Sequence, residues 1–280
     1  MTVDEIRVGR QWLALREPAD AAARARELVA QVARRLPAGG RQVIHDLGCG
    51  TGSMGRWLAP QLNGAQHWVV HERDPDLLEA AAADPPGRAR DGSAISLETR
   101  QSDITWLSGD ELAGAALVVA SALLDMLTAE ELARLVALCS EAACPVLITL
   151  SVVGRVELTP ADPLDLRVEA AFNDHQRRVT ARGRLLGPDA VAAAGEQFRL
   201  LGGEVTVRRS PWRLGAVHGA LAAEWFAGWL GAACEQQEEL AAVTGAYGSR
   251  RLAEAVAGRL AVTLEHADLL VLPRRDGGPA

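Results

Sequence analysis

Three glycines at alternate positions, Gly48, Gly50 and Gly52, separate the apolar run RQVIHDL (41–47) from an amphipathic segment that opens at Ser53. Glycine adopts positive φ without a Cβ clash. A strand can therefore turn sharply into a helix at such a place and bring bare backbone against a ligand at the carboxyl end of a sheet. Strand, glycine turn and helix form the opening unit of an open α/β sheet, and the sequence downstream keeps that rhythm. AQHWVVHE (65–72) reads as a second strand, and Asp74 followed by Pro75 as an N-cap and first turn of a helix reaching about 83. ISLETRQSD (95–103) and GAALVVAS (114–121) read as the third and fourth strands. The fourth is apolar throughout, as a strand covered on both faces should be.

Thr128 and Glu131 form a capping box ahead of a helix, and CPVLITLSVV (144–153) is a fifth buried strand. The expected fold class is α/β, a doubly wound and mostly parallel sheet. Before the core, the periodicity predicts one helix over 18–36 with Pro18 in its first turn. After Val153 the rhythm breaks: a short strand, the polar segment VEAAFNDHQRR and an arginine-bearing loop lead to Gly187. A helix over 188–201, a strand over 204–210, a long helix over 214–242, a helix over 247–260 and a strand over 266–273 follow. No repeat or low-complexity linker interrupts the chain. One domain over 1–280 is expected, with a helical cap (1–38), a core (41–152), an insertion (153–187) and a part completing the sheet (188–273).

Composition removes whole classes of chemistry. All 29 basic residues counted as Lys plus Arg are Arg. That excludes a Schiff-base lysine, a pyridoxal phosphate enzyme, a Walker-A phosphate loop and a kinase lysine. A net charge of −7 with scattered arginines argues against a nucleic-acid partner. The four cysteines form no CxxC pair and the first ten residues show no signal peptide, so a reduced, cytoplasmic setting is expected. The most apolar stretch, 115–127, is too short to span a bilayer and contains Asp125, so no membrane is expected.

The glycines fit two frames. Gly50, Gly52 and Gly55 satisfy the dinucleotide pattern GxGxxG, while Gly48, Gly50 and Gly52 leave Asp46 at the end of the strand. A carboxylate there repels a pyrophosphate but helps to hold a cation such as a sulfonium amino acid. The stretch IHDLGCGTG resembles motif I of the class I S-adenosylmethionine-dependent (SAM-dependent) methyltransferases. The resemblance extends through WVVHERDPDLLEAA, RQSDITWL and AALVVASALLDML, roughly 40–153. It implies a seven-stranded sheet with helical cap elements and SAM as cofactor, held by Asp46 and the three glycines of the turn. By the same resemblance Glu72 takes the ribose hydroxyls, with Asp74 as a nearer-to-helix rival suited to capping. Asp103 then accepts from the adenine amino group with Ile104 packing beside it, and Ser121 faces the methionine portion. The segment QWLALREP (11–18) resembles a leading segment that folds over the cofactor in some members, where Arg16 meets a carboxylate of cofactor or substrate; a solvated Arg16 is the alternative.

The methyl acceptor is less legible. No [DNS]PP[YF] follows the fourth strand, where the chain reads Ser121-Ala-Leu-Leu-Asp125, and Asp84-Pro-Pro-Gly87 lies in a turn before the third strand. Cys144-Pro145 reverses the order of a cytosine-methylating nucleophile. A small-molecule acceptor is therefore expected, with an RNA or protein methyltransferase, a SAM-binding regulatory protein without turnover, and a dehydrogenase as rivals. His175 and Asp125 are the candidate bases; a surface histidine and a surface carboxylate are the alternatives. His175, His218 and His266 raise a metal, although their spacing matches no zinc signature. His45, His67 and His71 read as structural. Trp225 and Trp229, one helical turn apart, suit a core, an apolar substrate wall or the face of a homodimer.

Overall fold

A computed structural model describes residues 8–37 and 39–274. The first seven residues of the expected cap, and residue 38, lie outside the described residues. The chain opens with α1 (Arg10–Ala23) and α2 (Arg26–Ala33), then alternates through β1 (Gln42–Leu47), α3 (Ser53–Leu58), β2 (Gln66–Glu72) and α4 (Pro75–Ala83). β3 (Ile95–Gln101), β4 (Leu117–Ser121), α5 (Ala129–Glu141) and β5 (Val146–Thr159) follow. The later part comprises α6 (Asp165–Gln176), the hairpin of β6 (Val179–Thr180) and β7 (Gly183–Arg184), α7 (Ala190–Leu200), β8 (Glu204–Arg209) and β9 (Trp212–Leu214). The helices α8 (Gly219–Gln236), α9 (Glu238–Val243) and α10 (Gly245–Val256) then lead to β10 (Ala261–Leu272).

The main sheet runs β3-β2-β1-β4-β5-β10-β8, with short β9 also paired to β10. The pairs from β3 to β5 are parallel, and β10 is antiparallel to both β5 and β8. This is the expected doubly wound, mostly parallel sheet of seven strands, with β9 as an addition. Its strand order reverses between β1 and β4, where an open α/β sheet forms its ligand crevice. Strand periodicity sends alternate residues to opposite faces. Leu117, Val119, Leu147 and Leu270 pack toward α2 and α3, while Val118, Ala120, Ile148 and Leu269 pack toward α5 and α7.

Several expected boundaries move for identifiable reasons. The single helix expected over 18–36 is two helices, and Pro18 lies inside α1 rather than in a first turn. The break is at Arg24 (φ −53°, ψ 135°), whose side chain turns inward and buries beneath the sheet ends. The short strand expected after Gly154 is the continuation of β5, because Gly154 at φ 77° lets the strand bend without ending. The polar segment after it is helical, as α6. The long helix expected over 214–242 divides at extended Gln237, beyond which Leu240 folds back to full burial. The capping box forms as expected: Glu131 N donates to Thr128 Oγ1 at 3.2 Å and Thr128 N to Glu131 Oε2 at 2.9 Å.

β5 and β10 run on together past the rest of the sheet as a long antiparallel ribbon. A third apolar cluster forms on it, from α6, α8, α10 and β9, joined by Trp12 and Leu15 of α1. The cap thus packs on the ribbon and reaches back over the crevice.

Candidate active site

The glycine turn is built as its spacing requires. Gly48, Gly50 and Gly52 have φ of 68°, 54° and 83°, the left-handed region that favours glycine. Gly48 N and Cys49 N both donate to His71 O, at 2.9 and 3.0 Å, so the turn hangs on the end of β2. A Cβ on Gly50 would stand 3.2 Å from Leu13 Cδ1, which brings α1 directly over the turn.

At the end of β2, Glu72 accepts from Gly50 N at 3.0 Å through Oε2, and from Arg73 N and Asp74 N at 2.8 and 3.0 Å through Oε1. Asp74 caps α4 by accepting from Asp76 N at 3.0 Å. Asp103, after β3, accepts from Thr105 N and Thr105 Oγ1 at 2.9 and 2.7 Å. Asp46 is different. It is 1% exposed, and neither carboxylate oxygen has a hydrogen-bond partner. Burial, only partly offset by the Arg24 guanidinium, pushes its carboxyl up to about 7.

A cavity of ≈ 200 Å³ opens between these strand ends and α1. Asp46, Gly48, Gly50, Glu72, Asp103, Ile104 and Ser121 line it from the sheet side, and Leu13 and Arg16 of α1 close it from the other. Gly52 shapes the turn and starts α3 but is not part of the wall. Gly55, the third glycine of the dinucleotide frame, serves packing: a Cβ there would lie 3.0 Å from Pro86 and 3.4 Å from the Trp68 ring.

A second cavity of ≈ 160 Å³ adjoins the first, and both are walled by Arg16 and Ala122. Its floor is one face of β5, where Leu150, Val152, Gly154 and Val156 follow at every second residue. Trp12, Phe172, Trp212 and Trp225 make its aromatic sides. Asp125, Asn173, Gln176 and His266 supply polar atoms. Burial pushes the Asp125 carboxyl up to about 6 and the His266 imidazole down to about 3.

Neither a protein-family model nor a curated protein sequence matches the chain. Solved structures match its fold. A cyclopropane-fatty-acyl-phospholipid synthase-like protein from Lactobacillus casei is similar with a TM-score of 0.51 at 15% identity, covering 97% of this chain and 96% of its own. The YcgJ protein from Bacillus subtilis gives a TM-score of 0.50 at 7% identity, over 90% of this chain and all of its own (100%). Magnesium protoporphyrin IX methyltransferase from Synechocystis PCC 6803, solved with bound SAH, is a looser match at a TM-score of 0.42 and 15% identity, over 74% of this chain and 83% of its own. The fold is that of the class I S-adenosylmethionine-dependent methyltransferases.

On this fold the residues singled out from sequence fall into two groups. Asp46, Gly48, Gly50, Glu72, Asp103, Ile104, Ser121 and Arg16 share the first cavity, and Asp125 lies in the second. His175 lines neither. It sits in the last turn of α6, half-buried, with Nδ1 4.0 Å from an exposed Glu235 carboxylate at the end of α8. The carboxylate that Arg16 meets is Asp20, one turn along α1, through Nε and Nη2 at 3.0 and 3.2 Å. His218 accepts from Gly215 N at 3.2 Å, a local turn role. Among the described residues no group of three His, Cys, Asp or Glu is placed to hold a metal ion. Trp225 and Trp229 stack at 5.3 Å and are both buried, and Trp225 also walls the second cavity, which removes them from any exposed dimer face.

Two site-building residues escaped sequence reasoning. Arg24, 2% exposed, donates from Nη2 to Ser121 Oγ at 3.1 Å and faces the Trp57 ring at 5.2 Å. Asp268, in the middle of β10, accepts from Ala25 N, Leu150 N and Ser210 Oγ at 2.7, 2.8 and 2.5 Å. A lone acid inside the run HADLLVLP was the available signal for the second.

Proposed function

We propose that the protein is a SAM-dependent methyltransferase acting on a small molecule, with Asp125 as the base. The first cavity fits the cofactor on chemical grounds. The unpartnered buried carboxylate of Asp46 suits a ligand carrying positive charge, and the same group beside Glu72 would repel a pyrophosphate. Glu72 presents a carboxylate to a vicinal diol, Asp103 an acceptor to an exocyclic amine, and the left-handed glycines let backbone approach closely. The observation that carries the reading is Asp46: a side chain buried without partners is costly and calls for a ligand that completes it.

When bound, SAM supplies a methyl group on a sulfonium, and transfer breaks the carbon–sulfur bond as the bond to the acceptor atom forms. The protein's share is alignment, worth up to roughly 7–11 kcal/mol of barrier, together with removal of the acceptor's proton. Asp125 suits the second task. It borders the acceptor side three residues from Ala122, where the cavities meet, and a carboxyl near 6 is ionised at neutral pH yet basic enough to take a proton. His266, held neutral by burial, is too weak a base to take up a second proton and serves better to position the acceptor.

Calorimetry with SAM, and with NAD as the comparison, tests the reading: SAM should bind and NAD should not. Glu72→Ala should weaken SAM by about 10–150-fold, the equivalent of a charged hydrogen-bonding group worth ~1.5–3 kcal/mol. Unchanged affinity in that variant would remove Glu72 from the cofactor site.

A further inference from the structure

The second cavity holds more information about its ligand than its aromatic walls alone. Asn173 Nδ2 donates to Gly154 O at 2.7 Å, which fixes which end of the amide is the donor and leaves Oδ1 as the acceptor. That Oδ1 is buried and has no partner, as are Gln176 Oε1 one turn along the same face of α6 and His266 Nδ1 across the cavity. Three of the residues that line this pocket thus each carry an unpaired buried polar atom, a costly arrangement unless a ligand completes it. The atom whose role is fixed, Asn173 Oδ1, is an acceptor, so the ligand brings a donor.

Charge narrows the class further. Arg16 is the one arginine lining this cavity among the described residues, and Asp20 holds it in a two-bond pair. An anionic ligand would have to break that pair. For a cation, the Arg16 guanidinium already covers a face of Trp212 and of Trp12, at 5.0 and 5.9 Å from their centroids, and repels a second positive charge, while the Asp125 carboxylate, the other charge on the wall, is taken by its proposed role as the base that accepts the ligand's proton. What remains attractive is flat apolar surface, offered by Trp225 and Phe172 against the β5 floor.

We infer that this cavity takes an uncharged, planar aromatic molecule bearing a ring-borne hydroxyl or N–H, which donates to Asn173 and stacks among the tryptophans, as the methyl acceptor. The acceptor role rests on the methyltransferase reading above; the recognition of a neutral aromatic donor rests on the cavity alone. Gly154 is part of the device. A Cβ there would come within 2.8 Å of Pro188 Cβ and 2.9 Å of Asn173 Oδ1, so the strand must carry glycine for the amide to reach its place.

The test uses 2-naphthol as probe, read by quenching of tryptophan fluorescence, with naphthalene, 2-naphthoate and 2-naphthylmethylammonium as comparators on the full chain. 2-Naphthol should bind saturably and at least tenfold more tightly than each comparator. Val152→Phe, which fills the cavity from its floor, should weaken 2-naphthol at least tenfold while calorimetric SAM affinity stays the same. Asn173→Leu should weaken 2-naphthol but leave naphthalene unchanged, which separates loss of the acceptor atom from collapse of the pocket. Tighter binding of either charged comparator, indifference to Val152→Phe, or equal weakening of both probes by Asn173→Leu would overturn the inference. SAM failing to bind while 2-naphthol still binds would instead sink the methyltransferase reading, and with it the acceptor role only.

Discussion

Asp46 couples the first cavity to pH. Its carboxyl sits near 7 in the folded chain against about 4 when unfolded, so folding favours the protonated form. The sign follows: its contribution is fully present below about pH 4 and is lost as pH rises through about 7. Unfolding free energy should therefore fall across that window, by up to ~4 kcal/mol from this group alone, and Asp46→Asn should flatten the fall in urea titrations at several pH values. A ligand carrying positive charge reverses the burden by drawing the pKa down. SAM binding near pH 7 should accordingly release a proton, and the neutral-sulfur product SAH should release less. Calorimetry in buffers of different ionisation enthalpy measures both numbers; equal proton release by the two ligands would place the sulfur centre away from Asp46. Asp125, as the proposed base, bears on turnover. Turnover should drop below about pH 6, where its carboxyl protonates, and Asp125→Asn should abolish most of the rate and the acid limb together. His175→Ala should leave the pH profile unchanged, since its ring lies outside both cavities.

The β5–β10 ribbon is the element that converts a cofactor sheet into an enclosed site. It carries one cavity floor, anchors the cap cluster, and bends at glycine and at a non-glycine residue in the left-handed region: Leu150, with φ 57°, has its N–H held by Asp268 Oδ1 at 2.8 Å. Such a backbone persists only where its surroundings over-determine it, and sites for ligands are where it accumulates. Gly154→Ala tests the ribbon's other bend. A Cβ in the left-handed region costs roughly 1–2 kcal/mol before any clash is counted. With Pro188 and Asn173 both inside 3.0 Å of that Cβ, the loss should exceed this and appear in denaturant unfolding. Cofactor affinity should change far less, because the clash falls on Pro188 and Asn173, neither of which lines the first cavity. This ribbon was also the least legible part of the sequence. A glycine after an apolar run reads as a strand end, and only the antiparallel partner 108 residues downstream, pairing Val156 with Leu264, keeps the strand going. The parallel units were legible because each carries its own turn or cap chemistry: the three glycines before α3, Asp74–Pro75 before α4, Thr128 and Glu131 before α5.

At the scale of the molecule, what local pattern could not disclose is how the two ends of the chain meet. The first cavity needs α1 over the glycine turn, and α1 owes that position to contacts far away in sequence. Trp212 Nε1 donates to Asp20 Oδ1 at 2.9 Å, tying β9 to α1, and Asp268 binds the amide that opens α2, the bent amide of β5 and the hydroxyl after β8. His175 makes the converse point. It lies in a polar segment whose residues look alike in sequence, yet α6 puts Asn173 and Gln176 on the second cavity and His175 beside Glu235. The Asp268 node gives the sharpest test of long-range assembly. Asp268→Ala strands three buried donors at once, and a loss of about 3–5 kcal/mol is expected, as for breaking a buried charged network. The loss should not be uniform. Because the node joins α2 to the sheet, amides of α1 and of the turn beneath Leu13 should lose hydrogen-exchange protection before those of β1 and β4, and SAM affinity should fall although no cofactor contact has been removed. Equal loss of protection across the sheet and α1 would mean that Asp268 stabilises the fold at large and does not hold the cap on its site.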